Sequence, residues 1–161
     1  MKFVITGQEA SRPFHKHWQF CVGSCHAKMA MRADYARQLK QVHDELGIRR
    51  VRFHGILNDD METINVLDAP GGFQFREQRF HNCGVVYDNV LSTGMKPVVE
   101  LSFMPKQLGR SKEEGIMWYV GNITPPADEE AWIAYISDFI RYLEHRYGAE
   151  EVRTWLFEVW N

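Results

Sequence analysis

Cysteine is scarce in this sequence of 161 residues, limited to Cys21, Cys25 and Cys83. The number is odd and no two of them stand in a C-x-x-C spacing, which excludes a disulfide framework and a cysteine metal clip. All three are expected to be buried free thiols. Histidine is more plentiful, but His15, His17, His26, His43, His54, His81 and His145 form no H-E-x-x-H or comparable ligand pattern. Neither a structural metal nor a cofactor is therefore expected. An excess of charge of one sign is missing too, because 19 Lys and Arg are scattered among 21 Asp and Glu for a net charge of −2. That excludes the basic stripe of a nucleic-acid binder and the acidic tail of a disordered segment. Long hydrophobic runs are absent as well. The apolar part of residues 1–9 is too short for a signal peptide and nothing later could span a bilayer, so a soluble, cytoplasmic protein with no membrane partner is expected.

What is present is 45% apolar residues, enough for one core or for a substantial piece of a larger domain. The signals alternate between strand and helix. Residues 18–23 are a short apolar run ending in Gly23, and Tyr35, Leu39, Val42 and Leu46 mark one face of a helix over 32–46 that Gly47 stops. Residues 50–57 read as a second strand. A loop then begins at Asp59 and runs through the turn signal Pro70-Gly71-Gly72, with 73–75 a minor extended piece. A second helix over 82–92 and a third strand over 97–103 follow. Residues 104–127 carry Pro105, Gly109, Gly115, Gly121, Pro125 and Pro126 and resemble a functional loop more than a linker. Asp128-Glu129-Glu130 opens the clearest helix, with Trp132, Ile136, Phe139 and Leu143 as its buried face and Gly148 as its stop. A fourth strand occupies 154–161.

Four strands separated by three helices imply a parallel sheet. A doubly wound sheet would carry a glycine-rich first turn, and Cys21-Val22-Gly23-Ser24-Cys25-His26 has no G-x-G-x-x-G. An eight-stranded barrel takes about 250 residues. The fold class expected is therefore α/β, with residues 1–161 forming one partial domain, the N-terminal half of a (β/α)8 TIM barrel.

Strand periodicity puts Arg52 on the same inward side as His54, and Glu100 and Glu158 lie mid-strand on the next two strands. Charges are costly in a parallel sheet covered on both faces unless they pair, so these three charged residues are predicted to form an interior ionic cluster with an architectural role. Glu158 lies about three residues, near 10 Å of strand, below Asn161, too deep for the chemistry that such barrels place at strand ends. His54 stands at a strand end and is a candidate for the site. Phe103, Trp118, Tyr119 and Trp160 lie in or beside the upper loops, where aromatic rings either stack on a sugar's C–H face or pack the mouth of the barrel.

The closing stretch Trp155-Leu156-Phe157-Glu158-Val159-Trp160-Asn161 resembles the fourth strand of glycoside hydrolase family 39, the β-xylosidase / α-L-iduronidase family. Cys21-Val22-Gly23, Arg52-Phe53-His54-Gly55, the run from Val99 to Pro105 and Gly121-Asn122-Ile123-Thr124-Pro125-Pro126 support the likeness in the same order. In such enzymes the motif continues with Glu-Pro, whose Glu is the acid/base, and the nucleophile is a Glu of strand seven. The resemblance thus implies a retaining glycosidase releasing terminal β-D-xylosyl residues from xylo-oligosaccharides, with no catalytic residue in this chain. It implies two substrate-binding residues, Asn161 toward the sugar 2-hydroxyl and His54 lining the same pocket. A retaining mechanism needs two carboxyls about 5–5.5 Å apart, so the 161 residues alone are expected to be inactive. Three other readings stay open: an iduronidase-like specificity, a carbohydrate-binding protein, and a non-catalytic half-barrel that pairs with a complementary C-terminal half. Open strand edges also predict association between copies, as a homo-oligomer or an aggregate.

Overall fold

The computed structural model describes residues 2–4, 6–7, 12–112 and 115–159. Its centre is a four-stranded sheet of β1 (Val22–His26), β2 (Arg50–His54), β5 (Lys96–Glu100) and β8 (Leu156–Glu158), ordered β1-β2-β5-β8 with every pair parallel. Each crossover is helical. Helix α1 (Ala33–Leu46) joins β1 to β2, and β2 reaches β5 through the hairpin β3–β4 (Ile64–Ala69, Phe73–Gln78) and α2 (His81–Ser92). The last crossover carries a small hairpin, β6–β7 (Gly115–Ile116, Gly121–Asn122), then α3 (Glu129–Tyr147) and the single turn α4 (Ala149–Val152). This is the order of strands and helices expected of the first four strands of an eightfold barrel.

Local chemistry accounts for the helix ends. Gly47 takes φ 69°, and its N–H reaches the His43 carbonyl at 2.9 Å, closing α1 in the left-handed conformation that glycine adopts without a Cβ clash. At the start of α3 the Asp128 carboxylate accepts from the N–H groups of Glu130 and Ala131 at 2.9 and 3.2 Å. Burial in β2 alternates, with Val51 and Phe53 inside the helix-covered core and Arg52 and His54 only half-buried on the opposite face. Leu39, Val86, Tyr87, Val90, Phe139 and Leu143 complete that core from the helices. The parallel ladder therefore presents its polar side chains together, away from the helices.

Several expectations are corrected. The first strand lies at Val22–His26, while His17–Gln19 is a 3-10 turn. Trp18 and Phe20 supplied the apolar signal, yet both are exposed, Phe20 serving as a platform for the Arg50 guanidinium at 4.9 Å. Strand β2 ends at His54 because Gly55 turns the chain at φ 77°, so Ile56 and Leu57 are buried beyond it. β5 and β8 are likewise shorter than predicted. The stretch after Asp59 forms a six-pair antiparallel hairpin turning at Gly71 and Gly72, not a loop with a minor extended piece. Leu46 is exposed, and α3 is rotated so that Tyr135 is wholly buried while Trp132 and Ile136 are half-buried. Of the cysteines only Cys83 is buried. Cys21 is half-buried and Cys25 is exposed, on the same alternation of β1 that exposes Gly23.

Candidate active site

The predicted ionic cluster forms across three neighbouring strands. Arg52 of β2 donates through Nε and Nη2 to the two carboxylate oxygens of Glu158 at 2.7 and 2.9 Å, and its Nη2 also lies 2.7 Å from Oε2 of Glu100. Glu100 is completely buried. Its carboxylate faces His54 Nδ1 at 2.8 and 3.0 Å and accepts the Ser102 hydroxyl as well. A buried charge is tolerable when it is paired and its remaining lone pairs are occupied, and Glu100 meets both conditions. The hydrogen bonds from Arg52 outweigh the opposing effect of burial and, aided by that cation's charge, hold the Glu158 carboxyl below its ordinary range. That is the opposite of what a general acid requires. Both glutamates, the last residues of β5 and β8 and not mid-strand as expected, are thus paired with Arg52.

His54 sits at the C-terminal end of β2, where the cluster meets the barrel mouth. Its Nδ1 faces two carboxylate oxygens, so the proton resides on Nδ1 and the ring orientation is fixed by the buried Glu100. A carboxylate that holds one ring nitrogen in this way also sets the direction of the other. Phe103 packs beside it, with ring centres 6.4 Å apart, and is itself buried. Of the two readings for that ring, packing of the mouth is the one its burial supports.

Sequence reasoning missed His26. It is fully buried at the end of β1, in register with His54, and its Nε2 lies 2.7 Å from Oδ2 of Asp60. The ring stacks on Tyr119 at 3.9 Å with an interplanar angle of 9°. Burial alone would raise the Asp60 carboxyl, but hydrogen bonds from His26 and Asn58, with the charges of His26 and Lys28, leave it below the usual value. Asn58 donates to the other oxygen of Asp60 at 2.7 Å. The only sign in the sequence was a second polar strand end preceding a helical segment, and the register shift beside His26 is not encoded by periodicity. A fourth carboxyl, Asp59, accepts the Lys106 N–H at 3.1 Å and ties the long loop to the end of β2.

Trp118 and Tyr119 sit on the turn between β6 and β7, with Trp118 exposed and Tyr119 half-buried. Trp160 and Asn161 lie outside the described residues, so the expected 2-hydroxyl contact is not placed. Among the described residues no group of three or more His, Cys, Asp or Glu is arranged to hold a metal ion, and no helix is long and apolar enough to cross a membrane.

The family model described as Glycosyl hydrolases family 39 matches residues 1–161. A β-xylosidase of Caldicellulosiruptor saccharolyticus is 45% identical over 161 residues, 100% of this chain and 32% of that protein. A β-xylosidase of Geobacillus stearothermophilus is 36% identical over the same 161 residues, again 32% of its length. The crystal structure of a monomeric β-xylosidase from Caulobacter crescentus CB15 superposes with a TM-score of 0.82 at 36% identity, covering 94% of this chain and 29% of that one. The chain thus spans roughly a third of the length of these relatives.

Proposed function

Because this chain belongs to glycosyl hydrolase family 39, we propose that it supplies the first four strands of a retaining glycosidase that releases terminal β-D-xylosyl residues from xylo-oligosaccharides. The observation that carries the reading is the 45% identity to a β-xylosidase across every residue of the chain. The site chemistry is consistent with it. A pyranose binds through a few oriented polar groups, and His54, locked by Glu100 at the strand end, is one such group. Asn161 is the second in this proposal, reaching the sugar 2-hydroxyl.

The carboxyl pair of a retaining mechanism is not supplied by Glu100 and Glu158, both of which are clamped on Arg52. In this proposal the reacting carboxyls belong to the part of the family barrel that this chain does not span. Two measurements test the reading. The 161-residue chain alone should not hydrolyse an aryl β-xyloside, and turnover by it would overturn the assignment of its carboxyls. A protein joining this chain to the remaining length of its relatives should release xylose from xylobiose with the β-configuration retained in the first product seen by NMR. Release of α-xylose, or none at all, would overturn the function.

A further inference from the structure

The turn of the β6–β7 hairpin places apolar side chains in solvent. Met117, Trp118 and Val120 are 51, 74 and 51% exposed. Met117 and Val120 also hold φ of 63° and 53°, conformations that are unfavourable for side chains with a Cβ and worst for a β-branched one. Strain of this kind persists where the surroundings over-determine it, and here the surroundings are visible. Tyr119 is stacked on the buried His26, whose Nε2 is bonded to Asp60, and Trp118 stands edge-on to Tyr119 at 5.1 Å and 86°. Trp118 is therefore an exposed indole on a rigid base.

The same base leads inward. Tyr119 packs on Phe103 at 5.9 Å, and Phe103 packs on His54 at 6.4 Å. A continuous row of rings thus runs from the candidate xylose contact to the rim of the mouth, with Trp118 at its outer end. The C–H face of a pyranose is apolar and flat, and a fixed aromatic ring is its natural counterpart.

We propose that Trp118 is the stacking platform for the saccharide unit on the leaving-group side of the scissile bond, and that His26 is a positioning residue that fixes the platform through Tyr119. This rests on the glycosidase reading above, which by itself concerns only the xylose that is released. The indole would bind the ring that departs, and so would set how strongly the enzyme prefers oligosaccharides to xylosides with small leaving groups.

The test uses the family-length protein carrying this chain, with xylotriose and β-xylosyl fluoride as paired substrates. The fluoride leaving group is too small to reach a platform at the rim. Replacing the indole in Trp118→Ala should lower the ratio of kcat/KM for xylotriose to that for the fluoride by about tenfold, through KM, while Trp118→Phe keeps most of it. His26→Gln should lower the same ratio, since a loosened Tyr119 no longer holds the indole. Equal losses on both substrates, or no change in the ratio, would overturn the platform while leaving the glycosidase reading intact. A parent protein that hydrolyses neither substrate overturns both. Trp118→Ala abolishing capture of a second protein, with the ratio unmoved, would make the hairpin tip a protein contact instead.

Discussion

Arg52 serves two carboxylates at once, and the consequences can be measured. Replacing it in Arg52→Met leaves the buried Glu100 with His54 and Ser102 as its side-chain partners among the described residues, and removing one member of a buried ionic group typically costs about 3–5 kcal/mol. We expect urea unfolding to show a loss of that order, and a smaller one for Glu158→Gln, whose side chain is partly solvated. The acid limb should change as well. The folded Glu158 carboxyl titrates below its unfolded value, so its contribution is complete above the ordinary glutamate range, near pH 4.3, and is lost as pH falls through the lower folded value. Stability measured between pH 5 and pH 2 should therefore fall less steeply in Arg52→Met. A second residue points the other way. The Tyr87 hydroxyl is wholly buried with no hydrogen-bond partner among the described residues, while its ring packs on Trp155 at 5.0 Å. Tyr87→Phe keeps the ring contact and should raise stability by about 1 kcal/mol in the same urea assay. The Arg52, Glu100 and Glu158 cluster was legible in sequence because charges on a covered parallel strand must find each other. His26 was not, because its partners Asp60 and Tyr119 come from segments whose paths a strand's period does not describe.

At the scale of the element, α3 was the most legible part of the chain because its start is written in side chains. Asp128 caps two N–H groups, so Asp128→Ala should cost about 1 kcal/mol, and Asp128→Ser should recover most of it, read as the shift in the urea midpoint. The hairpins were the least legible. β3 and β4 pair Asn65 with Glu77 and Val66 with Arg76, a mixture that gives neither strand a clean alternation, and Pro70-Gly71-Gly72 was their one sign. β6 and β7 are two residues each, below what any periodicity can reveal. Their place depends on a close approach instead. A Cβ at Gly121 would come within 2.6 Å of the Phe103 ring, which is packed between His54 and Tyr119. Gly121→Ala should therefore displace the hairpin and cost about 1–3 kcal/mol, with weakened amide protection of residues 115–122 in hydrogen exchange. Protection equal to the parent's would show that the ring has room to yield.

The molecule as a whole is a sheet with two open edges, since β1 and β8 close the order β1-β2-β5-β8 without an outer partner among the described residues. Apolar surface gathers beside both. Leu156, Phe157 and Val159 are exposed along β8, next to a hollow of about 390 Å³ lined by Met104, Ile123, Pro125, Pro126, Trp132 and Val159. Beside β1 a smaller hollow of about 170 Å³ is lined by Val22, Tyr35, Leu39 and Val42 among others. Unpaired parallel edges with adjoining apolar hollows favour association, and in the family barrel both edges would be covered by further strands. Whether four strands stand alone is decided by these edges, and composition was blind to them: 45% apolar residues is ordinary for a complete domain. Two outcomes are expected from light scattering on the purified 161-residue chain. By itself it should be larger than a monomer. Mixed with a fragment carrying the length its relatives have in addition, it should form a one-to-one complex, because the fragment's own barrel edges match β1 and β8 better than a second copy does. That complex should hydrolyse xylobiose when the fragment supplies both reacting carboxyls, whereas a chain that stays monomeric and ignores the fragment would mean that its edges need no partner.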